Sequence, residues 1–267
     1  MTALYIILTV FVLIIAVYAF FKSKTLTVRR INISDSPYSL SGKTIAVFSD
    51  VHLGFFVSTN QLKRCVAKIN SLHPDYVFFA GDFADKAQHN YSPILKETVS
   101  ILSELKPFYG KFAVLGNNDY CMSTVKDFSI AALSLSGFTI LRNAAARLSD
   151  DTVLIGVKES NYNIPDIKTP ISIADENDYV ILLSHQPDYV DTASKYNVNL
   201  QLSGHSHGGQ IYLGPILKYF LPNGSKKYYR GSTTVDGTKL VISHGVGLHT
   251  IPFRLFASPD ILFIKFR

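Results

Sequence analysis

Cysteine is scarce, with only Cys65 and Cys121 in 267 residues. Two thiols cannot build the disulfide framework that holds many small secreted domains together, and they suit a reducing compartment. The chain has no low-complexity tract and no internal repeat. Hydrophobic residues make up 47% of it, which excludes a disordered protein and leaves enough apolar surface for a full core. No linker is long enough to separate a second globular unit, so one domain of roughly 240 residues plus an appendage is expected. The net charge of +6 comes without any interleaved motif for reading DNA or RNA, so no nucleic-acid partner is expected and the basic balance is read as attraction to a bilayer surface.

The appendage is N-terminal. Ala3 to Phe21 reads ALYIILTVFVLIIAVYAFF, 19 residues without a charge, about the length that crosses a ~30 Å hydrocarbon core as a helix. A cleaved secretory signal is the alternative, with Val17-Tyr18-Ala19 as its cleavage site, but no Lys or Arg precedes the apolar run as such signals require. Basic residues follow instead, at Lys22, Lys24, Arg29 and Arg30, which places the C-terminal side in the cytoplasm. The expected organisation is a membrane anchor and basic flank over 1–24, a connector over 25–42 and a globular domain over 43–267, held at the cell membrane by one span.

Five segments repeat one pattern: TIAVFSD (44–50), YVFFAGD (76–82), FAVLGN (112–117), YVILLSH (179–185) and LQLSGH (200–205). Each is a short apolar, β-rich run that stops on a polar residue, and each reads as a buried strand. Leu62, Cys65, Val66 and Ile69 make a helical stripe between them, Leu95, Val99 and Leu102 make another, and Pro187 is placed to open a further helix. Alternating strands and helices argue for an α/β fold, in which functional groups gather beyond the carboxyl ends of the strands. Past residue 207, candidate strands near 227–235, 239–244 and 261–266 suggest an antiparallel finish.

The polar ends carry chemistry. Asp50 and His52 form D-x-H, and Asp82, Asn117, His185, His205 and His207 add a carboxylate, an amide oxygen and three imidazoles. Any one of these is ordinary as a turn or core residue. Together, on five strand ends with Gly81, Gly116 and Gly204 allowing close backbone approach, they form a mixed oxygen and nitrogen set that suits two divalent ions such as Mn, Zn or Fe. His73 and His89 sit in a strand entrance and a polar loop and carry no such role.

The order Asp50-Val51-His52, Gly81-Asp82, Gly116-Asn117-Asn118-Asp119, Ser184-His185 and Gly204-His205-Ser206-His207 resembles the calcineurin-like metallophosphoesterases over roughly residues 43–267. GHSHGGQIYLGP and the distal SHGVGLHTIPFRLFASPDILFI are similar to the membrane-anchored bacterial branch, where some members or relatives cleave UDP-diacylglucosamine in lipid A synthesis. The resemblance implies a β-sandwich flanked by helices in an αββα arrangement. It also implies that Asp50, His52 and His207 hold one metal, that Asn117, His185 and His205 hold the other, and that Asp82 bridges them. Such a pair acidifies water and neutralises charge on phosphoryl oxygens.

Position 118 departs from the pattern. The family's GNHD or GNHE motif has histidine there as the acid for the leaving group, whereas Asn118 can donate a hydrogen bond but no proton. Either the leaving group needs little protonation, or the site is catalytically impaired and serves phosphate binding or regulation. Asp119 is expected to orient this loop. A metallo-β-lactamase-like hydrolase is disfavoured, because Gly208 and Gly209 stand where its D-H pair would follow. The stretch PILKYFLPNGSKKYYRG (215–231) interleaves apolar residues with Lys218, Lys226, Lys227 and Arg230 and is read as a cap for an anionic lipid headgroup, with an ordinary solvated hairpin as the alternative. His244 and His249 are further candidates for contacting phosphate. The expected substrate is therefore a phosphorylated small molecule or lipid, met at the bilayer.

Overall fold

The computed structural model describes residues 1–88, 90–212, 214 and 220–267, so His89 and Lys218 lie outside the described residues. Helix α1 (Thr2–Ser23) opens the chain. At ~1.5 Å per residue its 22 residues reach about 33 Å, and apart from Ala19 and Ser23 none of its side chains is buried.

The remaining elements form two six-stranded mixed sheets. The first runs β1 (Thr27–Ile33), β12 (Asp260–Phe266), β2 (Thr44–Phe48), β3 (Tyr76–Ala80), β4 (Gly110–Val114) and β5 (Phe138–Ile140). The second runs β10 (Gly231–Val235), β11 (Thr238–Ile242), β9 (Leu200–Ser203), β8 (Tyr179–Leu183), β7 (Thr152–Gly156) and β6 (Ala144–Ser149).

Their inner faces meet in one core that joins Ile45, Val47 and Phe78 to Leu154, Ile181 and Leu202. Alternation sends Ala46, Phe48, Val77 and Phe79 the other way, against α2 (Thr59–Asn70), α3 (Ser92–Ser103) and α5 (Ser123–Leu135). Burial on both faces explains why these strands are apolar throughout rather than alternating. The outer face of the second sheet is covered more thinly, by the four-residue α6 (Val190–Ala193), 3₁₀ turns and Ile167. Helices flank both sheets, as the αββα expectation had it.

Particular elements differ from expectation. The stripe on α2 is the expected one, Leu62, Cys65, Val66 and Ile69, behind a capping box between Ser58 and Gln61. On α3 the buried residues are Thr98, Ile101 and Leu102, with Leu95 and Val99 only half-buried. The segment 25–42 holds β1, an edge strand paired in parallel with β12, and so is woven into the first sheet.

The C-terminal strands are not one antiparallel unit. β10 and β11 pair antiparallel, but β11 lies parallel to β9, and β12 crosses to the first sheet. β10 starts at Gly231 rather than near 227 because the backbone N–H groups of Lys226 and Tyr228 donate to the Asp188 carboxylate, at 2.9 and 2.8 Å, instead of to a neighbouring strand.

Candidate metal centre

β2, β3 and β4 are parallel neighbours in one sheet, as are β8 and β9 in the other, and the carboxyl ends of both groups meet at one edge of the sandwich. The chain leaves each strand through a tight turn. Asp50, His52, Asp82, His205 and His207 all have positive φ, between 48° and 72°. Non-glycine residues adopt that region at a cost of order 1–3 kcal/mol each, and such residues cluster at functional sites. The turns are tied to one another. Asp50 N donates to Gly81 O at 2.8 Å, Gly204 N to His185 O at 3.1 Å, and His205 N to the Asp50 carboxylate at 2.9 Å, which joins the two sheets.

This folding brings the expected residues together in two buried groups. Asp50, His52 and His207 offer ligand atoms within 4.8 Å of one another, and so do Asp82, His185 and His205. Asp82 Oδ2 lies between the groups, 3.3 Å from His185 Nε2 and 3.7 Å from His52 Nε2. Asn117 faces the same cleft, and its Oδ1 is buried without a hydrogen-bond partner among the described residues. Gly116 and Gly204 make the approach possible: a Cβ would come within 2.1 Å of Asp82 Oδ1 at the first and 2.4 Å of Asp50 Oδ2 at the second.

The hydrogen bonds around the rings fit a cation. His185 Nδ1 donates to Ala80 O at 2.7 Å, and His205 Nε2 to Asn223 O at 2.8 Å. In their neutral forms both rings therefore turn lone pairs toward each other, across 3.1 Å between His185 Nε2 and His205 Nδ1. Two facing lone pairs require a proton or a cation between them. Burial pushes His52 down to about 3 and His205 to about 4, and it holds His207 well below the usual imidazole range, so these three rings are neutral at working pH. Burial would lower His185 too, but the adjacent Asp82 carboxylate raises it to about 10. Burial likewise lifts Asp50 to about 7. The chain alone thus keeps a proton where a divalent ion fits.

The asparagine segment, folded as the one-turn helix α4 (Asn117–Tyr120), supports this centre. The backbone N of Asn118 donates to Asp82 Oδ1 at 2.8 Å, and its side-chain amide to Oδ2 at 2.7 Å. Asp119 is fully buried and accepts from the N–H groups of Asp82, Phe83 and Gly116 at 2.9 Å each, and from Ser129 Oγ at 2.7 Å. It therefore locks the turns after β3 and β4 together.

Of the candidates for substrate contact, His249 reaches the cleft, its ring centroid 4.9 Å from that of His52. His244 packs instead behind Gly208, beside Asp260. Lys226, Lys227 and Arg230 do not line the cleft. Lys227 pairs with Asp191 at 2.9 Å, and Arg230 lies over the Tyr212 ring. Within 215–231, Phe220, Leu221 and Pro222 do form part of the wall, while residues 215–219 of the proposed cap lie outside the described residues.

Two features had no signal in the sequence. Arg254 is fully buried and donates to the carbonyls of His207, His244, Gly245, Gly247 and Ala257. The cleft itself, about 650 Å³, is walled by Ile211, Phe220, Leu221 and Ile251 above the polar floor. Its rim continues into the segment that packs on α1. Arg254 N donates to Ala19 O at 3.2 Å, and the rings of Phe253 and Phe20 lie 6.4 Å apart.

Comparison with known proteins agrees with this geometry. The model of the calcineurin-like phosphoesterase family matches residues 43–209, more than half of the chain. The uncharacterized metallophosphoesterase YkuE of Bacillus subtilis is 32% identical over 238 residues, covering 84% of this chain and 79% of that one. A metallophosphoesterase of Aquifex aeolicus is 31% identical over 226 residues, covering 82% and 83%. A transmembrane protein with metallophosphoesterase domain from Danio rerio is 28% identical over 240 residues, 84% of this chain but 53% of that protein, so the chain spans about half of that relative. The chain belongs to the calcineurin-like phosphoesterase family.

Proposed function

Starting from that membership, we propose that the chain is a membrane-anchored, dinuclear metal-dependent phosphohydrolase acting on a phosphoester or phosphoanhydride borne by a lipid or a nucleotide-linked lipid such as UDP-diacylglucosamine. One observation carries this reading. The two ligand groups, with Asp82 between them, form the floor of a cleft whose walls are apolar and whose rim packs on the end of α1. Asp50, His52 and His207 would hold one ion, Asn117, His185 and His205 the other, with Asp82 shared. Two divalent ions bound there supply Lewis acidity and bring the pKa of water close to neutral. The basic residues after α1 favour a cytoplasmic face for the domain by the positive-inside tendency.

The remaining work falls to the chain's own residues. The apolar walls take an acyl chain and exclude water, and His249 stands beside His52 with an Nδ1 that has no partner among the described residues and can face a phosphoryl oxygen. Asn118 orients Asp82 through both of its carboxylate oxygens. Having no titratable proton, it cannot protonate the departing oxygen, a role worth on the order of 10²- to 10⁴-fold where protonation is needed. A phosphate or nucleotide leaves as a stable anion, and an alkoxide does not. The favoured substrates are therefore phosphoanhydrides and aryl esters rather than alkyl phosphodiesters.

The test is a panel assay of the purified chain loaded with Mn, Zn or Fe, before and after Asn118→His. Anhydride turnover should exceed alkyl diester turnover, and the substitution should raise the second strongly and the first little. Equal gains would remove the leaving-group explanation. No turnover with any metal would favour the alternative suggested by Asn118, a metal-dependent phosphate-binding or regulatory protein.

A further inference from the structure

A second cavity, about 220 Å³, lies at the foot of α1 and, among the described residues, shares no lining residue with the cleft over the metal centre. Ser23 and Lys24 line it from the end of that helix, and Gln61, Arg64 and Lys68 line it from one face of α2. The spacing of 61, 64 and 68 puts these three side chains in a single row. Among the described residues no acidic side chain lines the cavity, and none of the three cations forms an ion pair. Lys24 is held over the Phe20 ring at 4.0 Å, which fixes its charge at the helix end. The rest of the lining is largely apolar, with Leu26, Val57 and Val246 among its residues. Unpaired cations above an apolar floor, one residue past the end of an apolar helix of membrane-crossing length, match a molecule with an anionic head and a hydrocarbon body.

We propose that this cavity binds the phosphate headgroup of an anionic bilayer phospholipid and so seats the catalytic domain against the membrane surface. It does so independently of the substrate cleft. The assignment rests on α1 as a membrane span, since only then does the cavity lie at headgroup depth. A cation close to an anionic surface strengthens attachment by roughly fivefold, so three in one cavity give about a hundredfold preference for anionic over zwitterionic lipid.

Full-length protein in dodecyl maltoside is titrated with phosphatidylglycerol and with phosphatidylcholine, and bound lipid is counted by native mass spectrometry. One phosphatidylglycerol adduct should form about a hundredfold more tightly than the phosphatidylcholine adduct. The adduct should be lost in the Lys24→Gln/Arg64→Gln/Lys68→Gln variant and kept in Lys226→Gln/Lys227→Gln. Should the triple variant misfold, the exposed single substitution Arg64→Gln is expected to weaken the adduct about fivefold. Phosphatidylglycerol retained undiminished by these variants, or no discrimination between the two lipids, overturns the proposal. Displacement of the adduct by millimolar inorganic phosphate overturns the lipid assignment in favour of a free anion. Alkaline carbonate extraction of membranes separates the two premises. Protein released to the soluble fraction removes the anchor and the lipid site with it, whereas membrane-retained protein without lipid preference removes the lipid site alone.

Discussion

Replacing Arg254 by Met keeps most of the side-chain volume and removes every hydrogen bond its guanidinium makes. Of the carbonyls that accept from it, His207 O retains Gln210 N and Gly245 O retains Asp260 N. Among the described residues, the carbonyls of His244, Gly247 and Ala257 are left without a donor. An orphaned buried acceptor costs about 1–3 kcal/mol, so three cost at least about 3 kcal/mol. In a domain of this size 1 kcal/mol moves Tm by roughly 2–4 °C, and a fall of about 6–12 °C follows. One effect opposes this. Burial already lowers the Arg254 guanidinium to about 10, none of its partners is a carboxylate, and removing a buried charge recovers its desolvation cost. The assay is thermal melting followed by circular dichroism, because the chain has no tryptophan to report on unfolding. Arg254→Lys, with three donors, should fall between the two. A Tm for Arg254→Met within about 2 °C of the parent would show that the recovered desolvation cancels the lost bonds and that Arg254 does not hold these turns together.

The other expectations test the centre and the anchor. Asp82→Ala removes the group shared by both ligand sets, so elemental analysis should show metal content reduced at both positions; undiminished content would refute the shared role. Gly204→Ala drives a methyl toward Asp50 Oδ2, at 2.4 Å, and should lower metal content while far-UV circular dichroism stays unchanged. Deleting residues 1–18 spares Ala19, which bonds Arg254 N, and should leave hydrolysis of a soluble aryl phosphate within about twofold while abolishing turnover of vesicle-borne lipid phosphate. Equal loss on both substrates would mean that α1 serves folding rather than delivery.

Strands were the most legible part of the chain, because burial on two faces leaves an unbroken apolar run and the first polar residue marks the end of each. The site was legible for the same reason, since its ligands are those first polar residues. What periodicity could not carry was anything set by partners distant in sequence. β1 is polar and half-exposed, TVRRINI, and is a strand only because β12 lies beside it. β12 reads in sequence as part of an antiparallel C-terminal finish, but its partners β1 and β2 lie in the other sheet from β10 and β11. Lys226 and Lys227 looked like a cationic cap, yet their backbone is held by Asp188 and Lys227 is neutralised by Asp191, contacts 35 or more positions away in sequence.

Arg254 shows the limit most clearly. In the sequence it is one arginine in an apolar stretch, IPFRLFASPD, and nothing local separates it from a solvated residue. Its position follows from the left-handed turns. Five residues of the two ligand groups occupy a backbone region that costs free energy, and a cost of that size in a marginally stable domain must be offset close by. Asp119 offsets it on the side of β3 and β4, where one carboxylate gathers four backbone N–H groups. Arg254 offsets it on the side of β9 and β11, where one guanidinium gathers the opposing carbonyls. A carboxylate collects donors and a guanidinium collects acceptors, so the two residues are complementary clamps on one strained centre. Because Arg254 N also bonds Ala19 O, the second clamp joins the histidine turn to the end of α1, and a force on that helix reaches His207 through a single residue.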